Sequence, residues 1–228
     1  MQIIDTGALG TRSAVLRLRR RGSELNFVVF PMLHVATPAF YREVTRRLGG
    51  CAVVVAEGVT GRSAAVWALT LTYRIIPANR RSGLVRQRID YAALGVPVVR
   101  PDVTAAEFGQ SWRTLPLGLR LLVWCMLPVM VVAQLLGGRK TLLAPSVTLN
   151  DDDVPDSDTE ERFLGVFGGE RDERLFAALA ELHETRSHER IDIGIVYGAK
   201  HVPDLVHRLA TTFGYRPRDA DWITVVDW

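Results

Sequence analysis

Two stretches of the chain place a histidine just past an apolar run: FVVFPMLHV ends in His34-Val35, and IGIVYGAKHV ends in His201-Val202. A carboxylate, Glu57, follows a third apolar run, CAVVVA, and Asp102 follows a fourth, PVVRP. Neutral imidazole nitrogens beside a carboxylate suit a divalent transition metal, and a site with open positions can activate water for hydrolysis. The plainer alternative is that each histidine bonds loop backbone and Glu57 caps a helix. Other chemistries have less support. His183-Glu184 with His188 sets two histidines five apart, about 140° round a helix, so they do not present two ligands on one face. Gly7-Ala8-Leu9-Gly10 lacks the lysine of a phosphate-binding loop, and the chain has no G-x-S-x-G. Cys51 and Cys125 lie in apolar runs without CxxC spacing and read as buried thiols.

The elements that must position these groups are read from periodicity. Ser13–Arg20 alternates apolar and polar residues like a strand with one buried face, and Arg21-Gly22-Ser23 is a turn signal. Leu25–Phe30 then reads as a second strand, apolar but for Asn26, so the two form a hairpin. Thr37 is an N-cap with Pro38 at the first helical position, and Phe40, Val44 and Leu48 recur at helical spacing before Gly49-Gly50. Cys51–Ala56 is too short and β-branched for a helix and reads as a buried parallel strand. Helices are expected over Ser63–Ile75, within Asn79–Leu94 and over Glu170–Glu184, with strands at Pro97–Arg100, Ile191–Tyr197 and Trp222–Val226 and a helix face at Leu205, Leu209 and Phe213. His183, Glu184 and His188 read as surface residues at a helix end, and His207 as solvated. Alternating strands and helices predict an α/β fold with a mixed, mainly parallel sheet flanked by helices. In such folds ligands gather at the carboxyl ends of strands, where His34, Glu57, Asp102 and His201 all fall.

The 228 residues are 48% hydrophobic, enough for one α/β domain over 1–228. It divides into an N-terminal half of about 1–110, an apolar helical insert of about 113–140, an acidic linker of about 150–161 and a C-terminal half of about 162–228. Net charge is only +3, with basic residues scattered among 25 acidic ones, so no nucleic-acid partner is expected. The Arg17, Arg19, Arg20, Arg21 cluster reads as a solvated hairpin end. The N-terminus lacks a signal-peptide core, so the expected location is cytoplasmic. Leu121–Leu136 has no charge over sixteen residues, short of the roughly 20 a span needs. A single crossing would also part His34 from His201. Residues 115–136 are therefore expected to be a buried helix or a homo-oligomer contact, with membrane-surface contact as the alternative. The acidic run from Asn150 to Glu161 does not fit a calcium loop, since Asp156 and Arg162 stand at its glycine and glutamate positions. It reads as a linker, with Ser157 and Glu160 forming a capping box for the next helix.

Gly198-Ala199-Lys200-His201 after a strand is a GxxH motif, and Pro31-Met32-Leu33-His34 is its counterpart near the start. With Glu57 after VVVA, and Glu170-Arg171-Asp172-Glu173 opening a helix before the second histidine unit, the order of motifs from Phe27 to Tyr215 resembles the TraB/PrgY/GumN/TIKI family. That resemblance implies an α/β fold of two similar halves facing a central site, like the erythromycin-esterase and ChaN-like folds. It also implies a metal-dependent peptidase chemistry, as in animal TIKI members; several bacterial relatives are linked to the shutdown of peptide pheromones. On this reading His34, His201 and Glu57 hold a divalent transition metal (Mn, Co, Fe or Zn). Glu57 doubles as general base, Arg171 orients or stabilises the oxyanion, and Asp102, Lys200 and Arg100 contact a small peptide or small-molecule substrate. The chain departs from the pattern in two places. Pro31 stands where the first motif has glycine, fixing φ and removing a donor, and Val103 stands where many members have an arginine after the aspartate, a role open to Arg100. The alternative function is non-catalytic binding of a peptide or anion.

Overall fold

The computed structural model describes residues 2–58, 83–136 and 169–228. The expected helix at Ser63–Ile75, the acidic linker and the Ser157 capping box lie outside the described residues. The strands are β1 (Ile4–Gly7), β2 (Gly10–Arg19), β3 (Asn26–Met32), β4 (Val35–Ala36), β5 (Val53–Ala56), β6 (Val85–Arg86), β7 (Val98–Val99), β8 (Asp192–Gly198) and β9 (Arg216–Asp227). The helices are α1 (Pro38–Leu48), α2 (Ala105–Thr114), α3 (Leu117–Leu136), α4 (Glu170–Arg186) and α5 (Val202–Phe213). Within 83–94, the second expected helix is replaced by β6 and a single 3-10 turn at Ala92–Leu94.

One mixed sheet carries the fold. β3, β8, β5 and β7 run parallel, as expected of βαβ units, and β2 joins β3 as the antiparallel hairpin partner. β2 is more buried than an alternating strand should be, with Thr11, Ser13 and Val15 on one face covered as well as Ala14, Leu16 and Leu18 on the other, and it is not at an edge. β9 lies antiparallel along its whole length on one side, and β1 and β3 share the other. The last strand is therefore much longer than the Trp222–Val226 pattern indicates: its first half is exposed and polar, and its ladder with β2 defines it rather than its hydrophobicity. β4 and β6 form a separate two-stranded ribbon beside the loop that carries His34.

The helices lie where their apolar stripes can be buried. Thr37 Oγ1 accepts from the Phe40 N–H, and Phe40, Tyr41, Val44 and Leu48 turn inward. Leu175, Leu179 and His183 form a buried ridge along α4, and α5 buries Val202, Leu205, Val206 and Leu209 before Gly214 closes it at φ +77°. Gly194 in β8 lets α1 sit close: a Cβ there would meet Leu48 Cδ2 at 2.9 Å and Cys51 Sγ at 3.0 Å. Cys51 is buried, with its thiol pushed up to about 11 by burial, whereas Cys125, expected to be buried, is exposed.

The arginines at the hairpin end are not simply solvated. Arg17 pairs with Asp192 at 2.6 Å, and Arg20 Nη1 donates to His183 Nε2 at 2.7 Å. His183, read from the sequence as a surface residue, is a buried polar group. Arginine has only donors, so His183 Nε2 accepts and Nδ1 carries the proton toward Tyr215 Oη at 3.1 Å. Tyr215 donates its own proton to Ser23 Oγ at 3.0 Å, and Ser23 donates to the Ser187 carbonyl at 2.9 Å.

Candidate functional site

The topology brings the two histidine loops side by side. β3 and β8 are adjacent and parallel, with Pro31 opposite Tyr197 and Met32 opposite Gly198, so the chain leaves both strands at the same level of the sheet. Pro31 is tolerated because it sits in β3 beyond the ladder with β2, which ends at Val29; Ser13 Oγ donates to its carbonyl at 2.8 Å. β5 flanks β8 on the other side, and the Glu57 N–H bonds the Val196 carbonyl at 2.9 Å. His34, Glu57 and His201 thus stand at the carboxyl ends of three neighbouring strands.

A buried charge network joins them. Glu57 Oε2 accepts from the Gly198 N–H at 2.8 Å, and Glu57 Oε1 accepts from Arg171 Nη2 at 2.6 Å. Arg171 also grips Asp102 with two bonds, Nε to Oδ1 at 2.8 Å and Nη2 to Oδ2 at 2.9 Å. The remaining capacity of Asp102 is met by the N–H groups of Gly58 at 2.8 Å and Val103 at 2.7 Å. The three side chains are only 15%, 19% and 3% exposed for Arg171, Glu57 and Asp102, so the guanidinium sets both carboxylates in a site largely shut off from water. The second motif's glycine has a local reason: a Cβ at Gly198 would lie 3.2 Å from Glu57 Oε2, crowding the carboxylate off its N–H donor.

His201 is held by a residue of α4. Tyr197 Oη donates to Asp172 Oδ1, and His201 Nδ1 lies 3.2 Å from Asp172 Oδ2. Burial pushes the Asp172 carboxyl up, but its bonds from His201 and Tyr197 outweigh that and hold it below the ordinary carboxylate range. Ionised Asp172 only accepts, so His201 Nδ1 carries the proton and Nε2, across the ring, is left for ligand chemistry. Burial would lower the His201 pKa, but Asp172 and Glu57 reverse the sign and raise it. His34 keeps an open face to solvent and moves the other way. The protein packed around its ring lowers its pKa by desolvation, with the charge of Arg171 acting in the same sense and that of Glu57 and a bond to Gln87 against. Both imidazoles therefore feel the same Glu57–Arg171 pair, although the sequence separates them widely.

The other expected site residues are placed as follows. Lys200 is exposed beside His201. Arg100 is exposed and lies over the Tyr91 ring, 4.9 Å from its centroid, and does not serve Asp102. Asp102 is paired by Arg171, from far along the chain. Asp172 and Tyr197 were not singled out by sequence reasoning. Their available signal was adjacency, Asp172 following Arg171 and Tyr197 preceding Gly198. A cavity of about 290 Å³ between α4 and α5 reaches Asp172, Tyr197 and His201, with Phe176 and Leu205 on its walls and Asp204 at its lining.

The donor chemistry fits a divalent cation. His34 is kept neutral, and His201 has the carboxylate on its second nitrogen that metal-bound histidines usually show. Glu57 retains lone pairs beyond those used by Arg171 and Gly198. Among the described residues, no group of three His, Cys, Asp or Glu side chains is drawn together as a metal site. No protein-family model, curated protein or solved structure matches the chain.

Proposed function

We propose that this chain is a hydrolase of a peptide or other small amide or ester bond, built on the TraB/PrgY/GumN/TIKI pattern. One observation carries the reading: His34 and His201, on loops from adjacent parallel strands, share the buried Glu57–Arg171 pair. His34 and His201 are the ligand-facing groups, and Glu57 is the carboxylate whose charge reaches both. Arg171 pairs with both Glu57 and Asp102 and aims their carboxylates. A divalent transition metal (Mn, Co, Fe or Zn) held by His34, His201 and Glu57 would supply Lewis-acid polarisation of the scissile carbonyl. The cleft between α4 and α5 admits the substrate to His201, and exposed Lys200, next in sequence to His201, is available to an anionic group. The same reading takes the chain as two similar halves, each contributing one histidine loop, acting in the cytoplasm without a nucleic-acid partner.

A second reading has its own support. Every oxygen of Glu57 and Asp102 already accepts a hydrogen bond, and exposed Lys200 adjoins the site, as in a protein that retains a peptide or anion without turning it over. The discriminating experiment measures metal content and hydrolysis of a fluorogenic peptide set, with His34→Ala and His201→Ala as controls. The hydrolase reading predicts stoichiometric metal and turnover, both lost in each variant. Peptide retention without turnover after metal supplementation would establish the binding reading instead.

A further inference from the structure

Helix α3 has no charge from Leu121 onward, and it is not inside the core. Its row Leu119, Val123, Leu127 and Val131 is covered or partly covered, which at 3.6 residues per turn takes about a third of the circumference. On the remaining arc Leu121, Leu122, Trp124, Met126, Val129 and Val132 are each between 46 and 57% exposed. A helix apolar on nearly every side belongs in a core or in lipid, and a contiguous apolar surface of this extent marks an interaction site.

We propose that α3 lies within one leaflet of a lipid bilayer as a monotopic anchor, with Arg113 and Arg120 meeting anionic head groups. Three features favour lipid over a second copy of the chain. A partner helix covers a stripe of about 100°, which would leave much of this arc in water, whereas acyl chains cover all of it. Arg113 is exposed and Arg120 partly so, both at the end where the chain enters the apolar helix, and cations beside an apolar segment are drawn to an anionic leaflet. Finally, the chain on both flanks of α3 belongs to one body. Arg174 of α4 pairs with Glu107 of α2 at 2.8 Å, and Arg171 pairs with Asp102. A single crossing would part those partners, and among the described residues no single helix is long and apolar enough to cross. Insertion along the surface satisfies both facts, and the 116° bend between α2 and α3 turns the chain onto that surface.

This inference goes beyond the hydrolytic reading and does not depend on it. Its test uses the full chain with a polarity-sensitive fluorophore on exposed Cys125, Cys51 being buried. The labelled protein is floated with vesicles of phosphatidylcholine and phosphatidylglycerol. The expected result is flotation with a blue shift of the label. The triple variant Leu122→Gln, Met126→Gln, Val129→Gln should bind more than about tenfold more weakly, with an unchanged far-ultraviolet spectrum because its sites are exposed. Arg113→Gln with Arg120→Gln should weaken binding to the anionic vesicles and not to pure phosphatidylcholine. Protein that stays at the bottom with an unshifted label would overturn the proposal. So would a vesicle-indifferent dimer that the triple substitution dissociates, since a second copy would then be the occupant.

Discussion

Arg171 is the residue on which the site turns, because one guanidinium satisfies two carboxylates that would otherwise face each other in a poorly hydrated space. Removing one partner of a buried pair leaves an uncompensated charge, which typically costs about 3–5 kcal/mol. Arg171→Leu should therefore lower the urea-unfolding free energy by an amount in that range, and Arg171→Lys should recover only part of it, since an ammonium cannot make the two-pronged contact with Asp102. A loss below about 1 kcal/mol, the scale of exposed pairs, would mean that water screens the network. Sequence alone made Arg171 and both carboxylates visible as candidates. It could not pair them, because Arg100, two positions from Asp102, was as reasonable a partner until the fold brought α4 to Asp102. His201 was visible in the same way, while the group that fixes its tautomer, Asp172, was hidden among four charged residues at a helix start.

Among the elements, β8 carries the most: it contacts β3 and β5, ends in the glycine that admits Glu57, and is pressed by α1. Gly194 is the point of closest approach. Gly194→Ala would drive a Cβ to 2.9 Å from Leu48 Cδ2 and 3.0 Å from Cys51 Sγ, so the helix must shift. Overpacking of this kind costs about 1–3 kcal/mol, measurable as a lower thermal midpoint, and Gly194→Ala combined with Leu48→Ala should recover part of the loss by removing the clashing methyl. An additive pair of effects would disprove the contact. Strands β3, β5 and β8 and helices α1, α4 and α5 were legible because each has a strong periodic or β-branched signal bounded by glycine, proline or a cap. β1, β6 and the polar half of β9 were not, since their partners rather than their side chains make them strands.

At the scale of the whole molecule, the His183 network binds the β2–β3 turn, the end of α4 and Tyr215 into one unit, and it requires a neutral ring. Burial lowers the His183 pKa, the charge of Arg20 acts in the same direction, and Glu184 opposes them. On acidification the unfolded chain takes up this proton near the ordinary value of about 6.5, whereas the folded chain resists until lower pH. Stability is therefore lost as pH falls through that window and levels off below the folded pKa. His34 contributes with the same sign and His201, whose pKa is raised, with the opposite one. The diagnostic quantity is thus the difference between wild type and His183→Gln. The variant should be less stable at neutral pH and show a shallower decline in melting temperature between about pH 7.5 and 5.5. An equal slope in both proteins would show that the ring is not held neutral.

The sequence by itself determined the α/β class, the parallel core strands, the capped α1 and the residues able to carry chemistry, because these depend on local preference and periodicity over a few residues. Only the tertiary structure decided which of them meet. Parallel pairing of β3 with β8 set the two histidine loops side by side, α4 delivered Arg171 to carboxylates distant in the chain and Asp172 to His201, and burial converted His183 from an apparent surface residue into a structural one. Exposure likewise left most of the apolar surface of α3, as far as Val132, uncovered instead of in the core. Pairing, burial and long-range charge compensation depend on where distant segments pack, and no spacing along the chain encodes that.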